Sequence, residues 1–152
     1  MSRPEPIPLP PHAHVPGRNA RHDDAVFARF HDSVRPGMGA MELARTLAWR
    51  AGWVYLNRGF YWEAHEVLEP VWMALPDGSA ERQFTQALIQ LANAALKHRM
   101  GRENAVRRLC GIVEDHLAAC GTSEQIMGLE VSAVRDRLAI LRGGGGLGVL
   151  AE

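Results

Sequence analysis

The sequence predicts an all-α fold, a compact bundle of about five to six antiparallel helices. Between residues 21 and 142, apolar residues recur at spacings of three and four, which is the repeat of an amphipathic helix. No stretch in this region keeps the period of two that a half-buried strand requires. Short segments separate the periodic stretches, and short connections favour antiparallel neighbours. A chain of 152 residues can build one hydrophobic core, so one domain is expected.

Prolines and glycines mark the two ends of the chain. Residues 1–20 contain six of the nine prolines. Proline removes backbone donors and favours extended conformations, so these residues are expected to form a disordered tail. The run from Gly143 to Gly146 is expected to end the last helix and to release a flexible tail over residues 143–152. The helical domain is therefore predicted to span residues 21–142.

The first two helices are read from caps and apolar stripes. A short helix is predicted from Asp23 to about residue 33, with Asp23 or Asp24 as N-cap, and Pro36-Gly37 closes it. A second helix is predicted over about residues 39–58, with an apolar stripe that begins at Met41. Gly59 supplies the left-handed residue that commonly ends a helix.

The remaining helices are predicted from the same signals, caps and apolar stripes. The predicted ranges are about 60–75, 80–100 behind Ser79 as N-cap, 102–119, and 130–142 behind a break at Gly128. Pro76-Asp77-Gly78, Gly101 and Gly121 stand in the gaps between them, where a helix has to stop.

Net charge, the N-terminal sequence and cysteine spacing indicate which partners, location and cysteine state to expect. The formal net charge is zero, which provides no global field toward nucleic acid or an anionic membrane, so neither partner is expected. The first thirty residues contain neither a secretory signal nor a membrane span, and the expected location is the cytoplasm. Cys110 and Cys120 have no metal-ligand or redox spacing and are expected to be reduced and packed.

The third predicted helix carries the residues best suited to chemistry. One face is apolar, with Ala64, Val67, Leu68 and Val71. The other face combines large apolar groups with a histidine and two carboxylates: Trp62, His65, Glu66, Glu69, Trp72 and Met73. A face with two tryptophans and a methionine is expected to be partly covered, and partly buried carboxylates need partners.

The fourth predicted helix offers such partners. It carries a polar stripe at alternating spacings of three and four, formed by Gln83, Gln86, Gln90, Asn93 and Lys97. We expect a pocket between the two helices in which Gln86, Gln90 and Lys97 position or neutralise what binds. Asn57, just before the turn at Gly59, and Tyr61 are further candidate ligand-binding residues, as is Trp72.

Three interpretations of the His/Glu face stay open. His65 and Glu69 are one turn apart, so they can hold one divalent metal ion, or the carboxylate can orient the imidazole as a general base, with Glu66 as a second catalytic acid. The pattern is not that of the zinc proteases, because Glu69 stands where the second histidine would be. The same residues can also form a purely structural hydrogen-bond network. Pro70 predicts a kink in this helix and frees the carbonyl of Glu66 for a ligand or water.

The residues around this face resemble a known family. Residues 56–72, followed by residues 86–92, resemble the domain-of-unknown-function family 309, through the string Ala-His-Glu-x-Leu-Glu-x-x-Trp. The resemblance covers about residues 40–141. It implies an all-helical fold with the His-Glu helix at its centre, and it implies no known reaction. The matching positions are Asn57, His65, Glu66, Glu69, Trp72, Gln86 and Gln90.

Two functional hypotheses follow. The first is a polar His/Glu pocket that binds a small molecule or a divalent metal ion and could support hydrolysis. The second is a protein-interaction module, because Gly52, Tyr55, Gly59, Ala64, Leu68 and Pro76 have the spacing of one tetratricopeptide helix pair. No second copy of that pattern follows, and such repeats need neighbours for stability. Self-association into a homo-oligomer is compatible with either hypothesis.

Overall fold

A computed structural model describes residues 6–148 of the chain and confirms the all-α prediction. A 3-10 turn, Asp24–Phe27, opens the helical part. The helices are α1 (Ala28–Asp32), α2 (Ala40–Leu43), α3 (Leu47–Arg58), α4 (Tyr61–Ala74), α5 (Ala80–Arg99), α6 (Glu103–Ala119) and α7 (Val131–Arg142). A two-stranded hairpin, β1 (Gln125–Ile126) and β2 (Leu129–Glu130), precedes α7.

The long helices pack in chain order, α3 on α4, α4 on α5 and α5 on α6, around one hydrophobic core. Tyr55, Leu68 and Phe84 are among its largest fully buried side chains. Both cysteines are buried and free, as expected from their spacing. Among residues 6–148, no helix combines the length and the apolar character needed to cross a membrane.

The helix predicted over residues 39–58 is in fact two helices, with a break at residues 44–46. Thr46 causes the break. Its hydroxyl donates to Leu43 O at 2.7 Å and accepts from Trp49 N at 3.2 Å, so it closes α2 and caps α3. A β-branched residue with a capping hydroxyl favours such a start over continuation. Met41, expected in the core stripe, is 77% exposed because α2 is a separate turn.

Small residues let α3 and α4 approach closely. Gly52 is buried in α3, and a Cβ added there would lie only 2.3 Å from Leu68 Cδ2. The chain reverses between the helices at Gly59, whose φ of 86° is left-handed. The tetratricopeptide-like spacing of these residues thus coincides with one close pair of helices.

Pro70 lies inside α4, and the helix continues through it to Ala74. Because Pro70 has no N–H, the carbonyl of Glu66 has no donor at the usual helical position. The Nε2 atom of His31, which belongs to α1, lies 3.2 Å from that carbonyl oxygen. The freed acceptor that Pro70 predicts is therefore filled by a side chain from another helix.

The hairpin before α7 departs from the purely helical expectation. Met127 and Gly128 both have positive φ, 51° and 81°, as a two-residue hairpin turn of the primed type requires. Trp49 Nε1 donates to Met127 O at 3.0 Å and holds the turn against α3. The pairing covers only two residues on each strand, too few to show as period-two alternation.

The described part of the expected N-terminal tail, residues 6–20, packs against the helices instead of standing free. Pro10, His14 and Val15 are buried. Prolines lack N–H donors, but their carbonyls still accept hydrogen bonds, and Tyr55 Oη donates to Pro8 O at 2.5 Å.

At the other end, α7 stops at Arg142 as the glycine run predicts, and Leu147 beyond it is buried again. Residues 1–5 and 149–152 of the two expected tails lie outside the described residues.

Candidate functional site

The predicted His/Glu face lies on α4, where it is partly open to solvent. His65 Nε2 and Glu69 Oε2 are 3.2 Å apart, with 31% and 50% of their side chains exposed. The one-turn spacing therefore does bring the imidazole and the carboxylate together. Such a pair in contact with water contributes little to stability, on the order of 0–1 kcal/mol.

A shallow cavity of about 340 Å³ opens beside this pair. Its lining residues are His31, Glu66, Glu69, Pro70 and Met73. The two carboxylates line its wall, and the lining contains no Lys or Arg among the described residues. His31 was not among the residues predicted for this site. Its Nε2 bonds to the carbonyl of Glu66, which Pro70 leaves without a backbone donor.

The structure also limits the metal hypothesis. Within residues 6–148, no three side chains of His, Cys, Asp or Glu are arranged to hold one metal ion. His65 and Glu69 provide two side-chain ligands, so a bound divalent ion would need water or a moved side chain to complete its coordination. Metal binding by His65 and Glu69 remains a prediction.

The polar stripe of α5 does not line the cavity beside Glu69. The lining residues of that cavity come from α1 and α4, so it is not the pocket expected between α4 and α5. Arg82 stacks over Trp72 at 4.3 Å and Arg99 over Tyr61 at 4.4 Å, which places the start of α5 beside the end of α4, so the two helices are antiparallel. Gln86, Gln90 and Lys97 are half-buried. Gln90 accepts from Asn93 at 3.2 Å, and Gln83 turns to His116 on α6. Gln83, Gln90 and Asn93 of this stripe therefore already have hydrogen-bond partners within the protein.

Three other predicted ligand-binding residues have partners within the protein. Asn57 is fully buried, accepts from Arg137 Nε at 2.8 Å and donates to Trp53 O at 2.9 Å. It does not point at the His/Glu face, because the guanidinium of α7 takes its amide oxygen. Tyr61 and Trp72 serve as stacking surfaces for Arg99 and Arg82.

A second, fully buried His/Glu pair was not expected from the sequence. Glu63 on α4 has no exposed surface, and its Oε2 accepts from His22 Nε2 at 2.6 Å and from His14 N at 2.7 Å. Its other oxygen, Oε1, is buried without a hydrogen-bond partner in the described structure. Phe27 and Trp62 pack against the His22 ring.

The negative charge of Glu63 also acts on a neighbour. The pKa of Tyr55 is raised well above its ordinary value, first by burial of the phenol and second by the repulsion of Glu63. One sequence signal could have revealed Glu63: it precedes Val67 by four residues and therefore lies on the apolar stripe of α4. A carboxylate in that stripe has to be buried with a partner.

The family predicted from the motif is confirmed by comparison with known proteins. Residues 49–109 match the model of the family described as Domain of unknown function (DUF309), a shorter stretch than the resemblance over about residues 40–141. No curated protein and no solved structure matches the chain. The matched residues cover most of α3, all of α4 and α5 and the first part of α6, and they include His65, Glu69 and Glu63. Over residues 49–109 the chain is therefore similar to the DUF309 family.

Proposed function

We propose that this domain binds a small cation in the cavity beside α4, with Glu66 and Glu69 as its charged contacts and His65 at its edge. The observation that carries the proposal is the lining of that cavity, which brings two carboxylates together and includes no lysine or arginine among the described residues. Acidic side chains on the walls of a concave surface attract cations more strongly than the same charges on an open surface.

The shared chemistry of the ligand is its positive charge. A divalent metal ion would use His65 and Glu69 as two of its ligands, and an organic ammonium or guanidinium group would use both carboxylates. Pro70 and Met73 add an apolar wall, which suits an organic cation with a short aliphatic part. The role supported here is binding, and hydrolysis stays an expectation from the sequence.

Thermal-shift titration tests the proposal. The purified chain is titrated with ZnCl₂, MnCl₂, butylammonium chloride and agmatine at constant ionic strength, with KCl as the salt control. A ligand at ten times its dissociation constant stabilises the folded state by about 1.4 kcal/mol, which raises Tm. We expect that rise for at least one of these cations and not for KCl.

Variants locate the site and separate the two kinds of cation. Glu66→Gln with Glu69→Gln should abolish the shift, whereas Glu42→Gln, an exposed carboxylate on α2, should leave it unchanged. His65→Ala should weaken binding of Zn²⁺ much more than binding of an ammonium group. Equal shifts in all of these proteins, or no shift with any cation, would refute the proposal.

A further inference from the structure

The N-terminal residues 8–15 are held on the helices by hydrogen bonds to their backbone and by the buried side chains of Pro10, His14 and Val15. At one end Tyr55 Oη donates to the carbonyl of Pro8 at 2.5 Å. At the other end the amide of His14 donates to Glu63 Oε2 at 2.7 Å. Contacts to backbone groups at both ends are how proteins commonly recognise an extended peptide segment.

The segment also carries its own turn. Asn19 Oδ1 accepts from Val15 N at 2.9 Å, and Asn19 Nδ2 donates to Ala13 O at 2.9 Å. His12 Nε2 lies 2.8 Å from Ala20 O. These bonds lie within residues 12–20, and Arg18 in the same turn also donates to Arg99 O on α5 at 3.0 Å. Prolines before the turn further restrict its unbound conformations, which lowers the entropy lost on docking.

Buried side chains are interspersed with exposed ones, and Val15 reaches the hydrophobic core. Pro10, His14 and Val15 are buried, while Leu9 is 47% exposed and His12 is exposed. The His14 ring packs edge-on against Trp62 with centroids 4.9 Å apart. A few seated side chains between exposed ones are typical of a docked peptide and differ from the continuous burial of a core element.

The groove beneath the segment has a carboxylate, that of Glu63, at its base. Glu63 is fully buried, and both hydrogen bonds to its Oε2 come from residues N-terminal to α1, while Oε1 has none. When residues 8–15 leave, Glu63 loses the bond from His14 N, which water can replace, and keeps the bond from His22. An apolar floor would lose its packing partner without that compensation.

We propose that the groove formed by α3 and α4 around Tyr55, Trp62 and Glu63 is a peptide-binding surface, which residues 8–15 of the same chain occupy and can leave while the helices stay folded. The partner it fits is an extended, proline-containing peptide that offers a carbonyl to Tyr55 and an amide to Glu63. In the intact chain, the N-terminal segment competes with any such peptide for the groove.

Hydrogen exchange on the intact chain tests whether the segment can leave. The amide of His14 should exchange at least 100-fold faster than those of Leu88 and Leu91 in α5, and with little dependence on denaturant, because it opens locally. Glu63→Gln should speed exchange at His14 by about tenfold or more, the effect of losing a charged acceptor. Tyr55→Phe should speed it by about threefold to tenfold, and Tyr61→Phe, a tyrosine that packs under Arg99, should not.

A trans-binding experiment tests the surface itself. A recognition sequence for a specific protease is inserted between the exposed residues Ala20 and Arg21, and the full chain is cut after folding. A fluorescent peptide of residues 6–20 should replace the cut segment, and its anisotropy should rise with the cut chain but not with the uncut chain. A scrambled peptide of the same composition should not bind.

Three results would overturn the proposal. The first is exchange of the His14 amide only by global unfolding, with the free energy and denaturant dependence of Leu88. The second is a cut chain that stays folded without its segment and fails to bind the labelled peptide. The third is unfolding of the helices when the segment is removed, which would make residues 8–15 part of the core.

Discussion

Two glutamates on α4, six residues apart, lie in opposite surroundings. Glu63 has no exposed surface and accepts hydrogen bonds from His14 and His22, whereas half of the Glu69 side chain is in contact with solvent. Burial removes water as a competing partner, so the bonds to Glu63 have no substitute in the folded state. The same residue type therefore contributes to stability at one position and is available to a ligand at the other.

Glu63→Ala should lower the free energy of unfolding by about 3–5 kcal/mol, because it leaves the buried imidazole of His22 and the amide of His14 without their acceptor. Glu69→Ala, the matched control on the same helix, should lower it by less than about 1 kcal/mol. Urea unfolding followed by circular dichroism measures both values. Equal losses in the two variants would contradict this account of Glu63.

Gly52→Ala should destabilise the protein by about 1–3 kcal/mol, since the added methyl group would overlap Leu68 and force α3 and α4 apart. Gly111→Ala is the control, because a Cβ there meets nothing within 4 Å and alanine favours the helix. That variant should be neutral or more stable by about 0.5–1 kcal/mol. Urea midpoints of the two variants decide the point, and a neutral Gly52→Ala would show that the contact can relax.

Between elements, α5 and α6 share a polar contact inside their interface. His116 Nδ1 donates to Gln83 Oε1 at 2.8 Å. The pKa of His116 is lowered from its ordinary value of 6.5, chiefly because burial disfavours the imidazolium, while Asp115 acts weakly in the opposite direction. The folded protein, with this contact buried, therefore favours the neutral imidazole.

Acid should weaken this contact. Below pH 6.5 the unfolded chain binds a proton at His116 more readily than the folded chain does, so the free energy of unfolding falls as pH decreases toward the lowered pKa. His116→Gln stays neutral and should show a smaller loss of stability between pH 7.5 and pH 5. The difference in urea midpoint between the variant and the parent isolates His116 from the other histidines. Parallel pH profiles for both proteins would contradict the prediction.

At the scale of the whole molecule, one buried contact joins the two halves of the chain. Asn57 at the end of α3 accepts from Arg137 on α7, eighty residues later, and the guanidinium also lies over Trp53 at 4.5 Å. Burial lowers the pKa of Arg137, yet the guanidinium stays charged at neutral pH and needs its hydrogen-bond acceptors. This contact secures α7 against the helices that precede it.

Asn57→Ala should reduce the free energy of unfolding by about 2 kcal/mol, the range for a buried hydrogen bond to a charged group. Asn104→Ala, an exposed asparagine bonded to Arg107, should change it by less than about 0.5 kcal/mol. Chemical denaturation with circular dichroism detection gives both numbers. A ligand-binding role for Asn57 would instead leave stability unchanged and alter cation binding.

Local signals in the sequence located most helices correctly. Ser79 caps α5 as predicted, with its hydroxyl accepting from Arg82 N at 3.1 Å, and Gly59 has the left-handed φ that ends α3. The spacing of His65 and Glu69 predicted their pairing, and Pro70 predicted a freed carbonyl at Glu66. Each of these features depends on residues at most four apart, within one helical turn.

By itself, the sequence determined the helical class, the ends of the long helices and the face of α4 on which a histidine and two carboxylates meet. Only the tertiary structure decided which glutamate is buried, that Asn57 serves Arg137, that His31 reaches the carbonyl of Glu66, and that residues 6–20 pack on α3 and α4. The physical reason is distance along the chain. These contacts join residues 35 to 80 positions apart, and no local periodicity specifies which of many polar side chains will meet when the helices pack.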